Sequence, residues 1–492
     1  MKKTKFKIYT LICILFFLGI ISSCKKDYFD INTDPNHAAD VPVTLLLPSA
    51  EAAIAHAVGN GFQIFGGIWG QYWTQSPASS QYKTIDQYSP SAFDFDRPWQ
   101  NMYSDALQDL STIIAKGNAT GATQYVACAK ILEAYAYQGL TDNFGDVPCS
   151  QALQASAGII SPKYDTQAEV YARIITLLNE GLAAIDESAE FHPGSDDILL
   201  GGNMGMWRKF GNTLKLRVYL RLAYVDPAQA QSGVSSLSGA SFLGAGDAVL
   251  VNYADAGGNY NPLYSAISDL SFVQSLVASA TCVNYMNVNS DPRLPIFYAP
   301  AVNGSYVGIA QGDYTLPAGT NVSYPGDVTG GNGSDGPNSI SAAAPVKLMT
   351  GYESLFLQSE AALRGWLGSG NDQALYEAAI TENFEAYGLA DSDATTYLAG
   401  DSIAYPASGS FDDKLRAIIT QKWVSMCGNQ NDEAWIEWRR TGYPDFFVQS
   451  ANTIIGSGRF PQRFYYPSTE FSRNTNFPGQ KQIYDKVWWD VN

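Results

Sequence analysis

Histidine is the scarcest reactive residue in this chain: three in 492 residues, at His37, His56 and His192. That argues against a histidine zinc site, and no HExxH motif occurs. Cysteine is nearly as sparse. Of the six, Cys13 and Cys24 sit near the N-terminus, leaving Cys128, Cys149, Cys282 and Cys427 irregularly spaced with no CxxC. Four thiols in a chain this long are not a disulfide scaffold. Basic residues are outnumbered, 30 against 47 acidic, for a net charge of −17. Nucleic acid requires a basic footprint, so it is excluded as a partner, and anionic polymers would need a local basic pocket.

Catalytic signatures are missing too. There is no GxSxG elbow and no P-loop. A GxGxxG string does occur, Gly331 to Gly336, but it sits in a Gly/Asn loop and Pro337 follows. Dinucleotide binding needs a strand before such a string and a helix after it, so this one reads as a turn. Carboxylate pairs such as Asp94/Asp96, Asp142/Asp146, Asp196/Asp197 and Glu433/Glu437 are frequent. A glycosidase needs two acids about 5–10 Å apart across a cleft, but with 47 acids near pairs arise by chance. No cofactor is expected. A structural calcium stays open for an acidic exported chain, with no EF-hand loop and only Asp335 in its Gly/Asn loop to suggest it.

Long apolar runs are confined to one place. The chain opens on four lysines within seven residues, continues through Ile8–Ile21, and ends this leader at Ser22-Ser23-Cys24. A basic start, a short apolar stretch and small residues before a cut site define a secretory signal. A cysteine directly after the small pair makes it a lipoprotein signal, with Cys24 as the lipidated new N-terminus. The apolar run falls short of the roughly 20 residues a spanning helix needs. The remaining 469 residues then balance 26 basic against 47 acidic, tethered to a membrane by lipid rather than by polypeptide.

Residues 25–42 read as an extended leader, with Asp34-Pro35-Asn36 and Val41-Pro42 disfavouring helix. Helical periodicity then predicts elements from near Thr44 to Ala57, and over Trp99–Ala115, Gln124–Thr141, Thr166–Glu187, Met204–Tyr224 and Ser268–Asn287. Two pairs follow, Tyr352–Leu367 with Asp372–Tyr387, and Phe411–Cys427 with Asn431–Arg439. In the first pair Glu360 precedes Arg364 by one turn and reads as a surface ion pair. The pair has the size of a tetratricopeptide unit, with a degenerate repeat pattern. Residues 299–345 and 440–492 are irregular and rich in aromatics. Loops that long are functional or disordered, and the aromatic content argues against disorder.

Aromatics are also concentrated early. Residues 62–103 hold 11 Phe, Tyr or Trp, about twice what the chain average of 13% would give. Rings with polar edges stack on sugars while still contacting water. Core packing explains Trp99 and Tyr103, one helical turn apart, and is favoured for Trp69 and Tyr72. Trp73, Tyr82 and Tyr88 lie in a polar run of glutamines, serines and threonines, where a ligand surface competes evenly with core. Tyr306, Tyr314 and Tyr324, scattered in the Gly/Asn/Ser/Pro-rich stretch, are further candidates for ligand contact.

Several motifs in order resemble the SusD/RagB family of outer-membrane nutrient-binding lipoproteins. Asp30-Ile31-Asn32-Thr33-Asp34-Pro35-Asn36 is similar to the family's leader, and Leu140-Thr141-Asp142-Asn143-Phe144-Gly145-Asp146-Val147-Pro148 to its central turn, with Phe144 where Trp is more usual. Asp291-Pro292-Arg293-Leu294-Pro295 and Leu357-Gln358-Ser359-Glu360-Ala361-Ala362 match two more, Ser359 replacing the usual Ala. Gln421-Lys422-Trp423, Glu433-Ala434-Trp435, Arg440-Thr441-Gly442-Tyr443-Pro444 and Arg463-Phe464-Tyr465-Tyr466-Pro467 with Glu470 and Asn474 complete the set. The resemblance implies a mostly α-helical fold of four tetratricopeptide-like helix pairs with a large irregular, loop-rich ligand-binding part. It divides the chain into a signal (1–23), a lipidated leader (24–43) and one domain (44–492). It also implies a cell-surface, outer-membrane location, a SusC-like TonB-dependent transporter as partner, and capture of oligosaccharides without chemistry. A peptide-capturing RagB-like lid and a lipid-anchored glycoside hydrolase are the alternatives. The family motifs are expected to be structural, with Arg439 and Arg440 bracing the fold by capping carbonyls. Ligand residues vary within the family, so none is carried over.

Overall fold

The computed structural model describes residues 41–269, 274–331, 340–368 and 371–492. Cys24, the leader, Asp335 and most of the GxGxxG string lie outside the described residues. Residues from Val43 onward form one compact unit. No helix among the described residues is long and apolar enough to cross a membrane.

The body is built from helices, some amphipathic and others, such as that over Thr123–Phe144, enclosed by neighbours along nearly their whole length. Helix α1 (Val43–Ala57) leads into α2 (Gln63–Trp69). A π-wound stretch, Asn101–Leu107, precedes α3 (Gln108–Thr120). Helix α4 (Thr123–Phe144) is buried along nearly its whole length, packed against α3 and against α5 (Gln167–Ala184), and stops at Gly145 with φ +82°. Helix α6 (Met204–Arg221) is followed by α7 (Pro227–Ser235). After α8 (Ala280–Val288) come α9 (Gly351–Leu363), α10 (Asp372–Glu385), α11 (Asp391–Leu398), α12 (Phe411–Ser425) and α13 (Asn431–Thr441). Start signals are local. Thr166 and Glu169 form a capping box on α5, Ser410 and Asp413 one on α12, and Asn203, Thr350 and Asn371 cap α6, α9 and α10. The contacts α3–α4, α4–α5, α6–α7 and α9–α10 make helix hairpins, so the fold is mostly helical, as expected.

Strands are minor. Three antiparallel two-stranded ribbons pair β1 (Trp73–Gln75) with β3 (Leu276–Ala278), β2 (Ala248–Val251) with β6 (Val346–Thr350), and β4 (Tyr298–Ala299) with β5 (Tyr324–Pro325). One expected helix is therefore corrected. Within Ser268–Asn287, residues 276–278 are strand and helix begins only at Ala280, because Ser279 turns the chain and caps α8 through Thr281 N. Helix α2 was not expected, since Gly66-Gly67 weakens the pattern. The structure gives the reason for those glycines: a Cβ on Gly66 would collide with the backbone of Asn431 and Asp432, so α2 lies directly against α13.

The helical body is braced by an interior charge network. Arg221 of α6 bonds Glu433 at 2.6 Å and also Glu437, both on α13, and lies 3.3 Å from Asp142 of α4. Arg440 bonds Glu360 of α9 at 2.6 Å and Glu437 at 2.7 Å, while Lys422 of α12 reaches Glu437 at 3.3 Å. Arg217 pairs with Glu353 at 3.1 Å. The surface pair expected at Glu360–Arg364 is thus corrected: Glu360 is fully buried and is shared with Arg440. Arg439 caps carbonyls, those of Asp142 at 2.9 Å and Gln462 at 2.8 Å, whereas Arg440 serves mainly carboxylates and reaches one carbonyl, that of Leu220, at 3.3 Å. Arg293 holds Asp291 at 2.7 Å and packs on the Phe384 and Tyr397 rings. The described motif residues Asp142, Glu360, Lys422, Glu433 and Arg440 converge on this interior, which makes them scaffold.

Candidate functional site

The loop-rich part is held together by Asp86 rather than by periodicity. Its carboxylate accepts from Thr74 Oγ1 at 2.6 Å, Gln75 N at 2.9 Å and Gln311 Nε2 at 2.7 Å. No cation faces it, and burial pushes its pKa up to about 6. Gln311 also donates to the carbonyls of Ile68 and Trp73, and Gly312 N donates to Thr74 Oγ1. Asp86 thereby ties β1 to the segment around residue 311. A third segment joins through Ser450 N donating to the Tyr88 hydroxyl, Asn452 Nδ2 to the Gly312 carbonyl, and Ile454 N to the Gln87 carbonyl. Gln71 and Tyr88 adopt left-handed backbone, φ +61° and +63°. Gln71 is compensated by side-chain bonds to both the N–H and the carbonyl of Val448. Strain of this kind persists where surroundings over-determine it, often at functional sites.

The six aromatic candidates divide in two. Trp73 is fully buried, its ring lying over Gly67. Tyr82 is buried, and burial raises its phenol well above the usual range. Tyr88 is buried, its hydroxyl spent on Ser450. The expectation that these three present a stacking surface is corrected. Gln71, Thr74, Gln75, Ser76 and Asp86 point inward, while Ser80, Gln81 and Thr84 are exposed: Gln75 Oε1 accepts from Tyr82 N, and Gln75 Nε2 donates to the Ser76 carbonyl. The inward ones satisfy buried backbone instead of greeting solvent.

Tyr306, Tyr314 and Tyr324 are half-buried. Tyr324 sits on β5 against Val277, Ile309 and Val322. Tyr306 is tied in through its carbonyl, which accepts from Asn287 Nδ2 at 3.2 Å. Tyr314 joins the Asp86 assembly: its hydroxyl donates to Gln87 Oε1 at 2.9 Å, and the Lys83 ammonium stands 5.2 Å from its ring centroid. Beside it, Ile454 is 66% exposed. A ring, an amine, an amide and an apolar side chain thus share one rigid loop platform. Gln87 belongs to the amide-rich run around Tyr88 that the sequence points to, whereas Lys83 and Ile454 carry no local signal, because their partners lie more than 200 residues away.

Among the described residues, no group of three or more His, Cys, Asp or Glu side chains could hold a metal ion. Cys128, Cys149, Cys282 and Cys427 are free thiols, and Cys427 Sγ lies 3.5 Å from the Tyr298 hydroxyl.

A family model described as "Starch-binding associating with outer membrane" matches residues 35–467. Solved structures share the fold. A SusD homologue from Bacteroides uniformis is 25% identical over 91% of this chain and 99% of its own, with a TM-score of 0.77. A chitin-binding SusD homologue from Flavobacterium johnsoniae is 23% identical over 90% and 99%, with a TM-score of 0.76. A SusD homologue from Bacteroides vulgatus is 24% identical over 88% and 92%, with a TM-score of 0.71. No curated protein matches the chain. Because the family model spans most of the sequence and the helical body is shared nearly end to end, this protein belongs to the SusD-like family.

Proposed function

We propose that this protein is a non-catalytic, cell-surface lipoprotein that captures oligosaccharides and passes them to a SusC-like TonB-dependent outer-membrane transporter. Cys24 carries the lipid anchor, and the acidic, mostly helical body presents the loop platform to ligand. Family membership supports a carbohydrate ligand, as does the chitin-binding relative of the same fold.

The observation that carries the reading is Tyr314, half-buried, with Lys83 over its ring and Gln87 on its hydroxyl. Lys83 covers one face of the ring and a sugar stacks on the other, with the Gln87 amide and neighbouring hydroxyls meeting its oxygens. Stacking plus a few fixed polar groups suits a neutral, hydroxyl-rich ligand.

The test is calorimetric titration with chito- and malto-oligosaccharides and with mixed peptides, alongside an assay for newly formed reducing ends. Saturable oligosaccharide binding without product is expected. Peptide binding alone, or product release near 1 s⁻¹ or faster, contradicts the reading. Cys24→Ser is expected to leave the protein unprocessed or released from membranes; unchanged membrane fractionation would remove the anchor.

A further inference from the structure

A groove of about 880 Å³ opens between the β2–β6 ribbon and helix α10, and none of the platform residues lines it. Leu250, Val328, Ile340 and Pro345 give it an apolar wall, and Tyr352 and Tyr387 also line it. Lys347 of β6 also lines it and is 9% exposed. The Lys347 ammonium donates to the Tyr387 hydroxyl at 3.2 Å and lies 4.4 Å and 5.8 Å from the Tyr387 and Tyr352 ring centroids.

What sets Lys347 apart is its missing counterion. The other buried lysine, Lys422, has Glu437 at 3.3 Å and Glu433 at 3.8 Å. No described carboxylate stands within 4.0 Å of Lys347. Four acids line the groove, Asp247, Asp255, Glu382 and Glu385; of these Glu382 of α10 accepts from Gly246 N at 2.9 Å, and Asp247 pairs with Lys209 at 2.9 Å. Burial lowers the ammonium pKa to about 8, so at neutral pH it is still mainly a cation. A buried ammonium met by a phenol and two ring faces but by no carboxylate is only partly compensated, and a ligand that supplies the opposite charge adds to that compensation.

We propose that this groove is a second binding site, and that its ligand is an organic monocarboxylate whose acid group pairs with Lys347 while its apolar body lies along Leu250, Ile340 and Tyr387. One ammonium beside one phenol offers two donors, which matches the two oxygens of a carboxylate. Phosphate and sulfate favour arginine forks or arrays of backbone N–H groups. The rim acids Asp247, Glu382 and Glu385 further repel a multiply charged anion. The apolar wall selects against small hydrophilic acids. The site is independent of the oligosaccharide reading.

The experiment titrates the full protein with phenylacetate and its neutral isostere phenylacetamide at pH 7. Phenylacetate is expected to bind at least ten-fold tighter, and Lys347→Met to abolish that preference while leaving chitohexaose binding unchanged. Wild-type protein supplies a second measurement that needs no variant. The preference should shrink as pH rises from 7 to 9, because Lys347 deprotonates there. Of its neighbours, Tyr352 and Tyr387 are pushed well above that range by burial, so neither changes charge within it. Equal binding of the two probes, no binding of either at 10 mM, a preference that survives Lys347→Met, or one that is flat from pH 7 to 9 would each overturn the proposal.

Discussion

The helical body and the loop platform both bury carboxylates, but they keep them in different ways. In the body, guanidinium and ammonium groups hold Glu433, Glu437 and Glu360 below the usual carboxylate range, chiefly through Arg221, Arg440 and Lys422. In the platform, Asp86 meets only amides and hydroxyls, and burial raises its pKa to about 6. The brace in the body is fastened chiefly by ion pairs, although Asp432 and Glu51 there are also buried with raised pKa, whereas Asp86 is held by amide and hydroxyl donors. The body therefore resists change, while the platform is assembled from separate segments whose exposed side chains can vary.

The largest expected effect comes from breaking the charged brace. Arg221→Met leaves Glu433, Glu437 and Asp142 without their shared cation. It should cost about 3–5 kcal/mol, read by urea denaturation. A loss below about 1 kcal/mol would mean the brace does not hold the body. Trp73→Ala should cost a similar ~3–5 kcal/mol, because the ring is core and not a sugar platform. An unchanged Tm with weakened ligand binding would restore Trp73 to the site.

Asp86→Asn comes next. It replaces a buried acceptor that meets three donors and should cost roughly 1–3 kcal/mol near pH 4, with a smaller cost near pH 8. The pH profile sharpens the contrast. The folded-state pKa of Asp86 is raised from 3.8, so the native state takes up its proton before the unfolded chain does. Its contribution to stability is fully present below about 4 and is lost as pH rises through about 6. Glu437 has the opposite sign: its folded pKa is depressed, so its contribution exists above its usual 4.5 and is lost as pH falls. Denaturation curves of wild type minus Asp86→Asn should therefore slope downward between pH 4 and 6. A flat difference would place no titration at Asp86.

Much of the body was legible because its signals are local. Periodicity placed α4, α5, α6, α9, α10, α12 and α13 within a few residues, and caps such as Thr166 and Ser410 mark their starts. Motif resemblance reached the fold that periodicity alone could not assemble. The platform was legible only in part. Tyr314 was among the candidates, but Trp73, Tyr82 and Tyr88 were misplaced because a polar sequence was read as an exposed one. Gln75 and Asp86 are polar and buried, and their partners lie on Tyr82, Thr74 and Gln311. Ser279 likewise broke an expected helix with a single capping hydroxyl. In each case a distant or single hydrogen bond decided the outcome, and spacing does not encode it.

Tyr314→Ala is the smallest change in stability and the sharpest in function. Its half-buried ring should cost little stability, within about 0.5 kcal/mol apart from its bond to Gln87. Removing a stacked ring worth roughly 1–3 kcal/mol should weaken oligosaccharide binding about 5- to 150-fold. The deciding measurement is a titration of wild type and Tyr314→Ala with chitohexaose and maltohexaose, with Tm recorded on the same samples. The expected result is weakened binding of the sugar that wild type binds, at an unchanged Tm. Equal affinity of the two proteins for that sugar would contradict a ligand site on the Asp86-braced platform.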